Sequence, residues 1–311
     1  MYGANFFYHV RGEIRLARDL AQELLEVAQR LQDRELLAYG HFAVGDTLLW
    51  FGELGVARTH LERALALYDP ERGREAAFRR GFNCGSNSYL FLTRVLWHLG
   101  YPDQAVRCSQ QAIAIAGEIS HPFSLAGALS WGAALHQLRR EAGRTLEVAD
   151  ADLALTTEQI IPFYAAQAMV LRGWALVEQG RREEGITQLR EGLAAYRATV
   201  ARLECSHWLA LLAEAYRDTG QPEEGLRLIA EALRHVAQTG IVYYEAELHR
   251  LDGELQLQLD TPDEQRAETS FRRALGTARQ QQAKSWELRA CDEPSPSCGP
   301  NRDGGPKRAS C

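Results

Sequence analysis

The segment LRGWALVEQGRREEGITQLREGL, residues 171–193, contains one complete helix–turn–helix pattern. Gly180 marks the turn, because glycine ends a helix in the left-handed conformation at little steric cost. Beyond it, Gly185, Leu189 and Gly192 are spaced i, i+4 and i+7, which places them on one face of a second helix. Small residues at the first and third positions let two helices approach closely. The segment therefore predicts a tightly packed helical hairpin.

The same pattern recurs along most of the chain with a period of about 40 residues. The small position is occupied in turn by Ala17, Ala57, Ala105, Arg144, Gly185, Gly225 and Ala267, of which Arg144 is a weak match. A turn glycine precedes it by five positions at Gly12, Gly52, Gly100, Gly180 and Gly220. Such a period is typical of a solenoid, in which each hairpin buries its apolar face against its neighbours. We predict an all-α, right-handed α-solenoid over residues 1–290, with about six full hairpins plus partial ends.

The residues at these positions resemble a known repeat family. The register Gly45, Leu48, Gly52, Ala57, Leu61, Ala64 and Pro70 resembles a tetratricopeptide repeat, although the period exceeds the usual 34 residues. The stretches LGYPDQAVRCSQQAI, LALLAEAYRDTGQPEEGL and QQAKSWELRA more specifically resemble the carboxy-terminal repeat region of bacterial signalling ATPases and adenylate or guanylate cyclase fusion regulators. This resemblance implies a sensor array. It does not imply ATPase or cyclase activity here, because the chain has no GxxxxGK[ST] phosphate-binding loop.

Composition narrows the class of function. The formal charge is -6, which argues against nucleic-acid binding, since that requires a clustered basic surface. The six cysteines are scattered, and no run of residues is apolar and long enough for a membrane span or a signal peptide, so we predict a cytoplasmic protein. No catalytic motif is present, and the run Asp150, Asp152 and Glu158 lacks the central glycine of a calcium loop. We predict no enzyme, no cofactor and no metal site.

Two segments depart from the repeat. The longest gap between small positions contains Arg72, Arg74, Arg79 and Arg80, and we predict a solvated loop there, with contact to an acidic partner or a phosphate as the alternative. Residues 291–311 are rich in proline and glycine and lack large apolar side chains, which predicts a disordered tail. A frame-shifted end is one interpretation of this segment, because the resembling family continues the helix; a natural tail is the other.

Tetratricopeptide arrays bind peptides in a concave groove walled by their first helices. Carried over to this register, the resemblance predicts a partner-binding groove formed by Tyr39, Asp46, Asn87, Arg94, His98, His136, Gln167, Trp174, Glu178, His207, Glu214, Arg217, Glu247, Arg250 and Glu254. Mixed charge with aromatic residues suits a protein or peptide partner, including an ATPase or cyclase module. An ordinary solvated helix face explains any one of these residues equally well. Glu247, Arg250 and Glu254 are also spaced to pair within one helix.

Three interpretations of function follow, beside the possibility that the chain has no function on its own. The first is a non-catalytic protein-interaction or sensor array of a signalling ATPase or cyclase-type regulator. The alternative is the small-molecule inducer-sensing repeat domain of a transcription regulator, which predicts an apolar pocket inside the superhelix instead of an open charged groove. An enzyme with unrecognised chemistry would need a cluster of strongly perturbed titratable groups in one cleft.

Overall fold

A computed structural model describes residues 2–291, which form helices joined by short turns, with no strand among them. The first helices of the successive hairpins are α1 (Tyr2–Val10), α3 (Arg34–Trp50), α6 (Cys84–His98), α8 (Pro122–Leu138), α10 (Pro162–Glu178), α12 (Cys205–Asp218) and α14 (Glu245–Leu257). The second helices are α2 (Ile14–Leu31), α4 (Leu54–Leu67), α7 (Pro102–Ile119), α9 (Ala142–Glu158), α11 (Arg182–Ala198), α13 (Pro222–Thr239) and α15 (Glu264–Gln280). Helix α5 (Pro70–Arg80) lies between α4 and α6, and α16 (Lys284–Cys291) follows α15. The all-α solenoid is confirmed; the predicted tail lies outside the described residues, apart from Cys291.

The turns explain the period and correct one position in it. All five predicted turn glycines have a positive φ, between 70° and 87°. In the remaining central unit Arg140 takes this role with a φ of 62°. The small position five residues later is therefore Thr145, which is fully buried, and the assignment of Arg144, which is exposed, was wrong. A long cationic side chain does not fit a seam between two close helices, whereas threonine does.

The seams between paired helices confirm the close approach predicted for the small residues. A Cβ atom added to Gly185 would lie 2.6 Å from the backbone oxygen of Gly173, and one added to Gly173 would lie 2.9 Å from the oxygen of Gly185. Gly192 is equally close to the backbone of Val170, at 2.8 Å. Backbone thus contacts backbone along the pair α10 and α11, as the opening segment predicts.

The predicted loop in the longest gap is wrong, because this segment forms helix α5. The Asp69 side chain accepts hydrogen bonds from the backbone N–H groups of Glu71 and Arg72, which caps the helix beginning at Pro70. Tyr68 anchors the insertion: its ring contacts Gly73 and Gly85, and its hydroxyl accepts a hydrogen bond from Asn83 at 3.0 Å. The Asp69–Pro70 pair is the sequence signal for this helix start.

The solenoid winds back onto itself, so successive turns of the superhelix are in contact. The N–H of Arg202 donates to the carbonyl of Val10 at 2.8 Å, and the N–H of Val242 donates to the carbonyl of Trp50 at 2.9 Å. Both carbonyls belong to the last residue of a first helix, where the helix itself offers no donor. The Ser285 hydroxyl donates likewise to the Trp97 carbonyl. The end of one first helix is therefore capped by residues one superhelical turn later.

This closure fills the concave side. The ring of Trp50 lies 4.9 Å from that of Tyr243 and 6.0 Å from that of Trp131, and the ring of Trp97 lies 4.7 Å from that of Trp286. From Cys205 to Tyr216 every residue of α12 is buried. The first helices therefore enclose an interior and do not line an open channel along its length.

Candidate functional site

The structure places most of the predicted groove residues in this interior. Ten are buried, namely Tyr39, Asp46, Arg94, His98, Gln167, Trp174, His207, Glu214, Glu247 and Arg250. Four are half-buried, namely Asn87, His136, Arg217 and Glu254, and Glu178 is exposed. They fall into three main groups: a central ion pair, a charged network at the carboxy-terminal ends of the first helices, and the wall of a cavity at the amino-terminal ends. Tyr39 packs separately against Phe82, and His136 pairs with Glu141 at a turn.

The central ion pair joins α6 to the turn before α12. A nitrogen of the Arg94 guanidinium lies 3.0 Å and 3.1 Å from the two carboxylate oxygens of Glu204, and both side chains are almost fully buried. Burial works to raise the pKa of Glu204, but Arg94 and His207 together outweigh it through charge and hydrogen bonding and lower the pKa. The Glu204 carboxylate also contacts Nδ1 of His207 at 3.3 Å. Burial lowers the pKa of His207 to about 4, so the imidazole is neutral at neutral pH and the salt bridge is Arg94–Glu204.

The charged network lies at the opposite end from the cavity and pairs its members with one another. Glu214 accepts hydrogen bonds from Trp174 at 3.2 Å and from Arg140 and Arg217. Burial works to raise the pKa of Glu214, but Arg140 and Arg217 outweigh it and lower the pKa to about 2. The charges here therefore satisfy each other, which accounts for them without an external partner.

The same network continues onto α14. Arg250 contacts Glu247 at 2.8 Å and Glu254 at 2.7 Å, so the spacing within this helix produces the pairing that the sequence allows. Arg289 joins Glu247 from α16 at 3.1 Å and also donates to the carbonyl of Leu138. These contacts connect α8, α14 and α16, and they hold the last described helix against the interior.

An apolar cavity of about 450 Å³ lies between α1, α6, α8 and α10. It reaches the surface, because Phe6 and Gly81 in its wall are exposed. Three predicted residues, Asp46, Asn87 and Gln167, line it. The aromatic wall was missed: it consists of Phe6, Phe82, Phe91, Phe123, Trp131, Phe163 and Tyr164. Cavities of this size and composition are typical of small-molecule sites.

The repeat itself builds part of this wall. Pro122 and Pro162 begin α8 and α10, where proline is preorganised for the first helical turn. Phe123 and Phe163 follow them, and both side chains line the cavity because they occupy the same register. Leu203 extends the series before α12. This recurrence of a bulky apolar residue in the repeat was the available sequence signal.

The polar groups of the wall are few. The Asp46 carboxylate contacts Nδ1 of His9 at 3.0 Å and the indole nitrogen of Trp50 at 3.1 Å, and Glu204 is paired with Arg94. Among the described residues that line the cavity, none is lysine or arginine. An anion would therefore meet two carboxylates and no free cation, so the electrostatics favour an uncharged ligand.

Gln167 is the polar side chain best placed to contact a ligand. It is 2% exposed, and its Oε1 accepts a hydrogen bond from the Ser130 hydroxyl at 3.1 Å. Its Nε2 has no hydrogen-bond partner among residues 2–291.

Asp152 of α9 lies beside Ser130 and is not among the residues that line the cavity. Burial raises the pKa of Asp152 to about 8, against a smaller lowering by the Ser130 hydroxyl. That hydroxyl has one proton and directs it to Gln167, so neither Asp152 oxygen receives a hydrogen bond within the described part of the chain.

Other kinds of site find no support in the part of the chain that the structure describes. In residues 2–291 no three His, Cys, Asp or Glu side chains are grouped so that they could hold a metal ion. No helix within those residues has the length and apolar character needed to cross a bilayer.

A family model for the tetratricopeptide repeat matches residues 87–111, 166–191 and 207–231. These segments fall on the hairpins α6/α7, α10/α11 and α12/α13. Three segments of the chain therefore match the tetratricopeptide repeat. The repeats carry much of the site, because α6 and α10 supply cavity residues and α12 supplies Glu214 and His207.

The chain is similar in sequence to one curated protein and in fold to several solved structures. An uncharacterized protein of Rhizobium meliloti (strain 1021) is 23% identical over 242 residues, which are 76% of this chain and 23% of that protein. The APC/C hetero-tetramer Cut9–Hcn1 has a TM-score of 0.59 and 16% identity, covering 92% of this chain and 48% of that one. A Rap protein complexed with competence and sporulation factor has a TM-score of 0.51 and 12% identity, covering 93% and 95%. At these identities the structural likeness shows the fold alone.

Proposed function

We propose that this tetratricopeptide array is a sensor that binds an uncharged, largely apolar ligand in the aromatic cavity. The observation that supports it is the cavity itself, about 450 Å³ walled by seven aromatic side chains. This is the apolar pocket that the alternative, small-molecule interpretation predicts. The open charged groove of the first interpretation has less support, because most of its residues are buried and paired with one another.

The charge of the wall defines the ligand class. Asp46 and Glu204 are both occupied by internal donors, and the aromatic rings offer apolar faces. Nucleotides and other phosphates are disfavoured, whereas a neutral aromatic molecule gains from ring burial. The Rap protein has a related fold and is seen complexed with a factor, which supports ligand binding by such an array. The effector that the sensor would regulate, a signalling ATPase or cyclase module, remains a prediction from the sequence resemblance.

The first test uses N-phenyl-1-naphthylamine, an uncharged aromatic probe whose fluorescence rises in apolar sites. We expect saturable binding to the wild-type protein. The variant Asn87→Trp should raise the dissociation constant about tenfold or more, because the indole fills the cavity and removes the area that the probe buries. Asn87 is suited to this change, since its side chain makes no hydrogen bond with any described residue.

The matched control is Gln111→Trp, which adds the same side chain on the exposed face of α7. Circular dichroism should show the same helical content for both variants. Absence of saturable binding to the wild type, or equal affinity in the two variants, would contradict the proposal.

A protein partner is the second candidate, and the exposed apolar residues beside the cavity favour it. Phe78 is exposed and its ring lies 5.4 Å from that of His121, a wall residue. Ile160 and Val200 are also exposed, three residues before the wall residues Phe163 and Leu203. In this case an apolar side chain of the partner would occupy the cavity. Affinity capture should then be lost in both Asn87→Trp and Phe78→Ser, while Phe78→Ser leaves probe binding unchanged; a partner retained by either variant argues against this mode.

A further inference from the structure

We propose that Gln167 donates a hydrogen bond from Nε2 to the ligand, so that the cavity selects uncharged aromatic molecules that carry a neutral acceptor such as a carbonyl oxygen. This inference rests on the proposed ligand-binding function of the cavity. It adds a specificity-determining residue and the chemistry that this residue recognises.

The position of Gln167 carries the argument. The side chain is nearly fully buried, yet it forms part of the cavity wall. One end of its amide, Oε1, is held by the Ser130 hydroxyl at 3.1 Å. The other end, Nε2, has two N–H donors and no acceptor among the described residues. The Nε2 donor has no acceptor within the described part of the protein, and a ligand acceptor in the cavity would supply one.

The orientation of the amide is set by the Ser130 hydroxyl, which lies beside Asp152. Raised by burial to about 8, the pKa of Asp152 leaves its carboxyl protonated at neutral pH. A protonated carboxyl does not compete for the proton of the Ser130 hydroxyl, which donates to Gln167 Oε1 at 3.1 Å. The amide therefore presents its N–H groups, and not its oxygen, to the cavity. Ser130 is the positioning residue in this arrangement.

Asp152 is an unusual residue for its position in the repeat. It lies seven residues after Thr145, at a seam position that is small and apolar in other units, as at Ala64, Ala112, Gly192 and Ala232. Burying a carboxyl group that accepts no hydrogen bond at such a position costs free energy of folding.

The test compares two probes that differ only in the acceptor. The first is 6-propionyl-2-(dimethylamino)naphthalene, which has a carbonyl; the second is 6-propyl-2-(dimethylamino)naphthalene, which has none. Fluorescence titration of the wild-type protein should give a dissociation constant about five- to tenfold lower for the carbonyl probe. In Gln167→Leu that ratio should fall to about one through weaker binding of the carbonyl probe alone. Gln111→Leu, on an exposed helix face, is the control and should keep the wild-type ratio.

A second variant keeps the test independent of how well Gln167→Leu folds. Ser130→Ala removes the hydroxyl that fixes the amide and should also reduce the ratio, whereas Asp152→Asn keeps a neutral side chain beside Ser130 and should preserve it. Equal affinity of the two probes for the wild type would overturn the inference and leave the cavity function standing. Failure of both probes to bind would overturn the cavity function itself. An unchanged ratio in Ser130→Ala would remove the positioning role.

Discussion

Replacing Asp152 by alanine is expected to stabilise the protein at neutral pH and to abolish part of its pH dependence. The carboxyl group is fully buried at the seam between α9 and its neighbours, and neither oxygen receives a hydrogen bond from residues 2–291. Alanine occupies this seam position in other units of the same repeat, as at Ala64 and Ala232. The backbone therefore already accommodates the substitution.

The size of the expected stabilisation follows from the shift in the pKa of Asp152. Burial raises the pKa of Asp152 from 3.8 to about 8. Because the folded pKa lies above the unfolded one, folding takes up a proton between these values. The contribution of the neutral carboxyl is fully present below about pH 4 and is lost as the pH rises towards 8. At pH 7 this lost contribution to the unfolding free energy amounts to about 4 kcal/mol, and it grows by about 3 kcal/mol between pH 5 and pH 7.5.

The assay is urea unfolding followed by circular dichroism at pH 5 and pH 7.5. Other titrating groups cancel when the variant is compared with the wild type at each pH, so the gain in unfolding free energy should be about 3 kcal/mol larger at pH 7.5. Asp150→Ala is the matched control, because Asp150 lies on the same helix with its side chain 53% exposed. A gain for Asp152→Ala that is equal at both pH values would refute the reasoning from burial.

Two further predictions concern stability. Glu204→Gln should lower the free energy of unfolding by about 3–5 kcal/mol, since it leaves the buried Arg94 without its counter-charge. A loss below about 1 kcal/mol in urea titrations would show that the ion pair is not isolated from water. Ile160→Gly should raise the melting temperature, because this β-branched residue is held at a φ of 56° while its side chain is 85% exposed. The expected gain in unfolding free energy is of order 1 kcal/mol. A lowered melting temperature would mean that the side chain makes a stabilising contact.

The sequence predicts the local architecture well, because helix pairing depends on residues within one period. Gly180 and Gly185 specify a turn and a seam whatever lies elsewhere in the chain. The error at Arg144 arose because Arg140 adopts the turn conformation without glycine, so the register shifted by one residue. The error at α5 was avoidable, since Asp69 and Pro70 form a recognisable helix start.

The site was harder to predict because it depends on contacts between distant repeats. Gly12 and Gly180 occupy the same turn position, yet a Cβ on Gly12 would lie 3.1 Å from Arg202, whereas one on Gly180 meets none of the described residues within 4 Å. No local pattern distinguishes them. The closure between superhelical turns buries Arg94 and pairs it with Glu204, so residues that look like a polar groove in sequence become interior. The aromatic wall was easier to predict from the sequence, because Phe123 and Phe163 occupy the same position in successive repeats.

The closure between superhelical turns also bears on how this protein folds. Solenoids normally fold as a row of neighbouring units, with stability passed from each unit to the next. Here the Ser285 hydroxyl caps the Trp97 carbonyl across 188 residues of sequence, and Arg202 does the same for Val10. Such contacts raise the contact order and form only after most of the intervening helices exist, which slows folding. They also couple the stabilities of distant hairpins. Local unfolding of an early hairpin therefore directly destabilises a late one.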